Sequence, residues 1–200
     1  MTVRSPGFRR PRQDGRRRVR AQLLDTALRL FSEHGYIGVR VEDIAKEAGV
    51  SRATFYKHFA EREEILAELF DRLVQDDPLP TPPGPDTEAL PRVRELLTAA
   101  AARMVSDEQL ARFVYTLPIR HAALLGEGAR PPVMEQVEQL VERGGAAGAV
   151  RTDVPPTLIT AQIARTFEAA MRDWAEHRAE SATDHLSLLL DLTFHGLAPA

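Results

Sequence analysis

The 200-residue chain contains no cysteine, and this absence excludes several kinds of site. Without thiols the protein has no disulfide framework, no thiolate nucleophile and no cysteine-ligated metal. No apolar run approaches the roughly 18 residues that a membrane span requires, so no membrane partner is expected. The arginine-rich N-terminus is not followed by the apolar segment of a secretory signal. These features predict a cytoplasmic protein.

Catalytic and metal-binding motifs are also missing. None of the six histidines has another histidine three or four residues away, and no HExxH motif occurs, so no metal site is predicted. The glycine-rich stretches at 126–128 and 144–148 complete no phosphate-binding fingerprint and are interpreted as helix ends. No GxSxG motif or spaced Ser–His–Asp set is present. We therefore predict no enzyme, no catalytic residues and no cofactor.

Charge is distributed unevenly along the chain. Residues 1–60 contain 13 Lys and Arg against 6 Asp and Glu, a net of +7, whereas residues 61–200 contain 13 against 23, a net of −10; together they give −3. A basic head on an acidic body suggests a polyanionic partner for the head alone.

Many of the basic residues lie before or at the start of the first predicted helix. They are Arg4, Arg9, Arg10, Arg12, Arg16, Arg17, Arg18 and Arg20. Residues 1–15 also contain proline and glycine and lack apolar periodicity, which predicts a disordered basic arm. Such an arm either reaches the DNA minor groove and adjacent phosphates or is a compositionally biased tail.

Apolar residues recur every three or four positions over most of the chain, and no stretch alternates convincingly with period two. The pattern predicts an all-α fold of about nine helices, with Pro118 kinking or splitting the sixth. The expected helices cover 16–34, 41–48, 52–59, 61–75, 87–105, 107–126, 132–146, 156–178 and 183–197. Five prolines and one glycine in residues 76–85 interrupt this pattern as a stiff linker or a long loop.

Residues 36–62 have the organisation of a helix-turn-helix. Two short helices, 41–48 and 52–59, are joined by Gly49-Val50-Ser51, and Ser51 can cap the second of them. With Phe55 and Phe59 facing inward, the outward set contains no carboxylate for DNA to repel. It consists of Arg52, Ala53, Thr54, Tyr56, Lys57 and His58.

These side chains suit a nucleic-acid surface. Arginine reads guanine edges, the threonine methyl suits the thymine methyl, and tyrosine, lysine and histidine can hold phosphates. The alternative is a helical hairpin with a solvated polar face. The coincidence of a basic arm, a helix pair and an acid-free face favours DNA binding.

Several short segments then identify a family resemblance over about residues 19–70. They are Ala27-Leu-Arg-Leu-Phe31, Gly35-Tyr36, Val41-x-x-Ile44-Ala45, Ala48-Gly49-Val50-Ser51, Thr54-Phe55-Tyr56-x-His58-Phe59 and Arg62-Glu63-x-Ile65-Leu66. Together they resemble the DNA-binding domain of the tetracycline-repressor (TetR) family. The resemblance implies a homodimeric, ligand-responsive transcriptional regulator, usually a repressor, whose third helix enters the major groove of double-stranded DNA.

The resemblance also implies roles for individual residues. Matching positions place Arg52, Ala53, Thr54 and Tyr56 against bases. Lys57 and His58 would contact phosphate, with Arg62 at the start of the next helix as a further DNA-binding residue. Arg40 stands where the family usually has serine or threonine, which loses a cap worth about 1 kcal/mol but offers another phosphate contact.

The acidic body would then dimerise and sense an effector. The apolar helices predicted at 156–178 and 183–197 would form a four-helix interface between two subunits. The alternative is that their apolar faces belong only to the core of one chain. The interface candidates are Ile163, Leu186, Leu189, Leu190, Thr193 and Phe194. Aromatic and methionine side chains suit an apolar effector with one or two hydrogen-bonding groups, although each is individually more often a core residue. The pocket candidates are Met104, Phe113, Tyr115, His121, Met134, Phe167, Met171 and Trp174.

The expected domains follow from these assignments. They are a basic arm at 1–15, a helix-turn-helix domain at 16–60, a connecting helix at 61–77, a Pro-rich linker at 78–86, and an effector-binding and dimerisation domain at 87–200. We expect a repressor that binds a palindromic operator as a homodimer and is released by a small apolar effector. Alternatives are an activator or corepressor-dependent regulator on the same fold, or a helical small-molecule binder or enzyme without operator binding.

Overall fold

The computed structural model describes residues 11–74, 79–117 and 132–195, with side chains from Gly15 onward. These residues form nine α-helices and two short 3-10 turns, without a β-strand, which confirms the prediction of an all-α fold. The chain divides into two compact units, Met1–Leu69 and Phe70–Ala200.

The first unit is built from the helix-turn-helix and the helices that flank it. Its elements are α1 (Pro11–His34), a 3-10 turn (Tyr36–Gly38), α2 (Val41–Glu47), α3 (Arg52–Tyr56) and the first half of α4 (Glu63–Val74). The inward positions of the helical period form the core. Its large, almost fully buried side chains include Leu23, Phe31, Ile44, Phe55 and Phe59.

The start of α1 corrects the predicted disordered arm. Residues 11–15 belong to the helix, which begins at Pro11, because proline is well tolerated in the first helical turn, where its missing N–H removes no intrahelical bond. Residues 1–10 lie outside the described part of the chain, so the arm hypothesis now concerns those residues alone.

The turn between α2 and α3 depends on two local features. Gly49 has a φ of 65°, a left-handed conformation that glycine adopts without a steric penalty. The Ser51 hydroxyl accepts a hydrogen bond from the Thr54 backbone N–H at 3.0 Å. The predicted serine cap is therefore present, and it fixes the first turn of α3.

The second unit contains the end of α4 and five further helices among its described residues. These are α5 (Ala89–Val105), α6 (Glu108–Thr116), α7 (Pro132–Ala146), α8 (Pro156–Ala175) and α9 (Ala182–His195), preceded by a 3-10 turn at Asp86–Glu88. α8 packs against α6, α7 and α9, while α5 packs against α7 and α9. The apolar stripe of α8 consequently lies at the centre of this unit.

The predicted sixth helix is described only as far as the residue before Pro118. α6 ends at Thr116, and Leu117 is extended, with φ −58° and ψ 134°. The cause is Pro118, because the residue before a proline is driven out of the helical region. Pro118, its predicted kink and most of the loop at 126–132 lie outside the described residues.

The proline-rich segment, predicted as a stiff linker or a long loop, belongs to the second unit. The Arg92 guanidinium on α5 donates to the Pro82 and Pro85 carbonyls at 2.9 and 3.3 Å and pairs with Asp86 at 3.2 Å. Arg92 is almost fully buried. The described part of the segment is therefore a loop fastened to α5, and the boundary between units falls inside α4.

A glycine in α7 allows close packing against the start of α5. A Cβ added to Gly144 would lie 2.5 Å from Ala89 Cβ and 2.9 Å from Val150 Cγ2. We expect Gly144→Ala to lower the free energy of unfolding of the second unit by about 1–3 kcal/mol, because Ala89 Cβ can move only with its backbone and the buried Val150 would have to change rotamer.

The adjacent Gly145 provides a matched control. Its added Cβ would meet Thr152 Cγ2 at an ordinary 3.6 Å, so Gly145→Ala should be neutral or stabilise by up to about 1 kcal/mol. Denaturation followed by the fluorescence of the single tryptophan, Trp174, reports on this unit. Equal stabilities of the two variants would contradict the packing argument.

Candidate DNA interface and effector cavity

The third helix exposes most of the side chains that the sequence assigned to DNA. Arg52, Ala53, Tyr56 and Lys57 are exposed, and Thr54 is half-buried. The burial of the two phenylalanines of this segment orients the helix. The Thr54 hydroxyl lies 2.8 Å from the Ser51 hydroxyl. Its hydroxyl is therefore already hydrogen-bonded within the protein, and its methyl group is the part left to contact DNA.

Arg52 is held by a carboxylate on the neighbouring helix. Its Nη1 lies 3.0 Å from Glu42 Oε1 on α2, and its guanidinium carbon lies 5.5 Å from the centre of the Tyr56 ring. Both side chains of the ion pair are more than half exposed. An exposed ion pair contributes only about 0–1 kcal/mol to stability. Arg52 can therefore leave Glu42 for DNA with little loss of free energy.

Removing this carboxylate is expected to strengthen binding to all DNA. Glu42→Gln frees Arg52 and eliminates a negative charge beside the recognition helix, so we expect an increase of up to about fivefold. Titrations with operator and with scrambled DNA at one salt concentration test this. Weaker binding to the operator would show instead that Glu42 itself accepts a hydrogen bond from a base.

The start of α2 is capped despite the absence of serine or threonine. The Arg40 backbone N–H donates to the Asp43 carboxylate at 2.9 Å, which is the reciprocal half of a capping box. The cost expected from losing the usual cap is thus partly offset. The Arg40 side chain is exposed and stays a candidate phosphate contact.

Arg62, which the sequence predicts as a DNA-binding residue, makes its described contacts inside the first unit. Its guanidinium donates to the Tyr36 and Val39 carbonyls at 3.1 and 2.5 Å and lies 4.0 Å from the centre of the Tyr36 ring. The Tyr36 hydroxyl donates to Glu63 at 2.9 Å. Burial, followed by the contact with Glu63, raises the pKa of Tyr36 to about 12, so the phenol stays protonated.

Two arginines near the predicted start of the first helix support the end of the recognition helix. Arg16 donates to the Lys57 carbonyl at 3.3 Å, and Arg20 donates to the His58 carbonyl. Arg20 also bonds Glu68 and lies 4.1 Å from the centre of the Phe59 ring. Sequence reasoning missed this role because an arginine on a helix surface looks the same whether it meets solvent, phosphate or a carbonyl.

His58 is less suited to an ionic phosphate contact than the sequence suggested. Its Nδ1 is buried, and no described residue forms a hydrogen bond to it. Burial, together with the nearby charges of Arg16 and Arg20, lowers the pKa of His58. A lowered pKa disfavours the imidazolium form that an ionic phosphate contact would use.

The second unit contains a cavity of about 390 Å³, a size typical of small-molecule sites. Residues of α4, α5, α6, α7 and α8 contribute to its lining. The lining consists of Phe70, Leu73, Val74, Met104, Tyr115, Val133, Met134, Glu138, Thr157, Thr160, Ala161, Ala164, Phe167 and Glu168.

Part of the predicted pocket lies in this wall. Met104, Met134, Tyr115 and Phe167 line the cavity. Three other candidates are packed into the core instead and do not line it. They are Phe113, Met171 and Trp174, of which Trp174 is covered by the Arg112 guanidinium at 4.3 Å. His121 lies outside the described residues.

The polar part of the lining was not predicted. Two threonines and one glutamate on α8 and a second glutamate on α7 face the cavity. Their spacing within amphipathic helices is the same as that of solvent-facing residues, so the sequence carried no signal for them.

Most of the predicted dimer residues form the core of the protomer, which corrects that assignment. Those buried inside the chain are Ile163, Leu186, Leu190 and Phe194. Leu189 and Thr193 are half-buried, and the Thr193 hydroxyl lies 3.0 Å from that of Thr166. The apolar stripe of α9 is occupied by α5 and α8 of the same chain, which was the alternative reading.

The outer side of α9 carries apolar residues that the sequence analysis did not select. Leu188 and Leu192, one helical turn apart, are 58% and 68% exposed. Exposed leucines of this size are typical of an interface when they cluster.

In the described portion of the chain, no helix is both long and apolar enough to cross a membrane.

A helix-turn-helix whose third helix exposes arginine and lysine defines a DNA-binding protein. Comparisons with known proteins agree. The family model described as bacterial regulatory proteins, tetR family, matches residues 23–69. The HTH-type transcriptional regulator TcmR of Streptomyces glaucescens is 30% identical over 99% of this chain and 89% of its own length.

Two further similarities extend over nearly the whole chain. The HTH-type transcriptional repressor DhaR of Mycobacterium sp. strain GP1 is 23% identical, covering 91% of this chain and 93% of DhaR. The crystal structure of FadR from Bacillus subtilis in complex with stearoyl-CoA has a TM-score of 0.65 at 19% identity, covering 88% of this chain and 98% of that one. The chain belongs to the tetR family of bacterial regulatory proteins and is a DNA-binding transcriptional regulator.

Proposed function

We propose that this regulator is a repressor that binds an inverted-repeat operator as a homodimer and is released by a small apolar effector. The observation that carries the proposal is the pairing of an exposed recognition helix in one unit with a largely apolar cavity in the other. DhaR, a relative of similar length, is named a repressor, and FadR has been crystallised with an acyl-CoA ligand. A protein that acts on bacterial DNA works in the cytoplasm.

The proposed DNA contacts follow the exposed side chains of the first unit. Arg52 reads a guanine edge, and Ala53, the Thr54 methyl group and Tyr56 contact neighbouring bases. Lys57 and Arg40 hold phosphates, which orient the recognition helix without reading sequence. A dimer presents this set twice, and its two-fold axis is matched by an inverted repeat.

The proposed coupling uses α4, which begins in the first unit and ends in the second. Its last residues, Phe70, Leu73 and Val74, line the cavity. An effector acts only by binding better to the state whose recognition helices are misplaced for the operator. Moving that balance from 1:99 to 99:1 requires about 5.5 kcal/mol of differential affinity.

The proposed dimer interface is centred on the outer leucines of α9. We expect the double replacement Leu188→Glu and Leu192→Glu to weaken dimerisation by at least about tenfold, because two buried apolar contacts become buried charges. Analytical ultracentrifugation over a concentration series measures this. Ile37→Glu, a similarly exposed position at 65% in the first unit, should leave the assembly state unchanged. An unaltered dimer in the α9 variant would place the interface elsewhere.

The decisive experiment selects DNA sequences from a random pool with the purified protein at about 150 mM salt, where non-specific phosphate binding is weak. Enrichment of an inverted repeat is the expected result and locates the operators in the genome. A single, non-repeated site would refute the dimeric reading. Enrichment that appears only after a metabolite is added would identify a corepressor-dependent regulator instead.

A further inference from the structure

The cavity wall on α8 has a polar end, an apolar middle and an acidic end. Thr157 and Thr160 lie at the first end, Ala161 and Ala164 in the middle, and Glu168 at the other end. Glu168 is eight positions after Thr160, which is about 12 Å along a helix. The small middle residues leave space for a ligand to lie along this wall.

Thr160 carries a hydroxyl group that the fold does not use. The residue is 1% exposed, and no described group forms a hydrogen bond with its Oγ1. Helical threonines commonly bond the carbonyl one turn back, as Thr166 and Thr193 do here with Gln162 and Leu189 at 3.1 and 2.9 Å. A buried hydroxyl without a partner is unfavourable, and a polar group of a ligand in the cavity would satisfy it.

Tyr115 adds a second hydroxyl to the same cavity. It donates to the Met104 sulfur at 3.3 Å, and a thioether is a weak acceptor. Burial, and then the nearby charge of Glu168, raises the pKa of Tyr115, so the group stays neutral. Glu168 and Tyr115 line the same cavity.

The charged side chains in the described lining of the cavity are both acidic. Its described lining contains the carboxylates of Glu138 and Glu168 and no lysine, arginine or histidine. Glu168 is exposed at the cavity edge. No described cation lies within ion-pair distance of it, and this includes Arg165 and Arg172, its neighbours on the same helix.

We propose that the effector is an apolar molecule with a cationic nitrogen beside Glu168 and a hydroxyl or carbonyl group opposite Thr160. The inference rests on the proposed function, in which this cavity is the effector site. The proposed ligand differs in charge from the stearoyl-CoA and lauroyl-CoA bound in two FadR structures. Those ligands carry phosphates, which require cationic partners, and the described lining offers none.

The test compares ten-carbon probes that differ in their polar groups. Decylamine, decanol, decanoate and 10-aminodecan-1-ol are titrated into the full-length protein by calorimetry, without DNA and below their aggregation limits. Decylamine should bind about tenfold more tightly than decanoate, with decanol between them. 10-Aminodecan-1-ol should bind more tightly than decylamine, because its hydroxyl reaches the Thr160 end.

Two variants assign the effects to particular side chains. Glu168→Gln should reduce the preference for decylamine over decanol by up to about fivefold, the range of an exposed ion pair, and leave decanol unchanged. Glu135→Gln, an exposed α7 glutamate outside the cavity, is its control and should change nothing. Thr160→Val keeps the side-chain shape, should not destabilise the protein, and should remove the advantage of 10-aminodecan-1-ol.

The outcomes separate ligand class from function. Decanoate or lauroyl-CoA binding as tightly as decylamine, or an ammonium preference unchanged in Glu168→Gln, would overturn the proposed class. A second assay then adds each probe to the operator complex. If decylamine binds the cavity as expected but releases no DNA, the proposed ligand class is supported and the proposed effector-released repressor is refuted. If only decanol or decanoate releases DNA, the effector-released repressor is supported and the proposed ligand class is refuted.

Discussion

Replacing Arg52 with alanine should reduce operator affinity by about 2–6 kcal/mol per dimer, since a bidentate arginine–guanine contact discriminates by about 1–3 kcal/mol in each half-site. Affinity for scrambled DNA should fall far less. The arginine is 63% exposed on its side chain and already oriented by Glu42 and Tyr56. Its loss therefore removes a placed reading group and leaves the folded unit intact.

The measurement is a pair of anisotropy titrations, one with the selected operator and one with a scrambled duplex. Lys57→Ala is the matched control on the same helix. As a phosphate contact it should weaken both duplexes similarly and reduce the salt slope by about two per dimer. If Arg52→Ala retains full sequence preference, the assignment of base reading to Arg52 is wrong.

Replacing Arg62 with alanine should lower the free energy of unfolding of the first unit by about 2–4 kcal/mol, because two carbonyls lose a charged donor and Tyr36 loses its stacked cation. The guanidinium is 23% exposed and joins the start of α4 to the turn at Tyr36 and Val39. Arg62→Lys should recover little, since an ammonium group cannot reproduce the planar fork.

Hydrogen exchange of amides in residues 36–62 is the measurement, with Trp174 fluorescence as an internal reference for the second unit. Arg29→Ala is the control within the first unit. That arginine pairs with Glu33 and Glu47 at an exposed site, so its removal should cost less than about 1 kcal/mol. If Arg62→Ala leaves exchange unchanged but weakens DNA binding and its salt dependence, Arg62 is a phosphate contact after all.

The same cluster predicts how stability depends on pH. Burial raises the pKa of Glu63, but the Tyr36 hydroxyl and the Arg62 guanidinium outweigh it and hold the pKa below its usual 4.5. Its stabilisation is therefore present above that value and is lost as the pH falls through the acidic range. The Tyr36 pKa is raised instead, so its contribution is lost as the pH rises from 10 towards 12. Arg62→Ala should diminish the acid-side loss.

The sequence by itself determined the class of fold, the DNA-binding motif and the family. These depend on short-range chemistry: the helical period, the left-handed glycine at Gly49, the serine cap at Ser51 and two inward phenylalanines. Each acts within a few residues of its own position, so the pattern of letters is sufficient. The match of α7 to the predicted 132–146, with proline at its start, has the same origin.

The tertiary structure decided which helix faces are occupied and by what. Phe113, Met171 and Trp174 are chemically similar to Met104 and Phe167, yet the first three fill the core and the other two line the cavity. An apolar stripe on α9 could meet a partner subunit or its own chain, and here α5 and α8 cover it. The sequence predicts Arg62 as a DNA-binding residue, and the position of the Tyr36 turn brings the Tyr36 and Val39 carbonyls within reach of its guanidinium. Such choices depend on contacts between residues far apart in the chain, where local periodicity is the same for every possible neighbour.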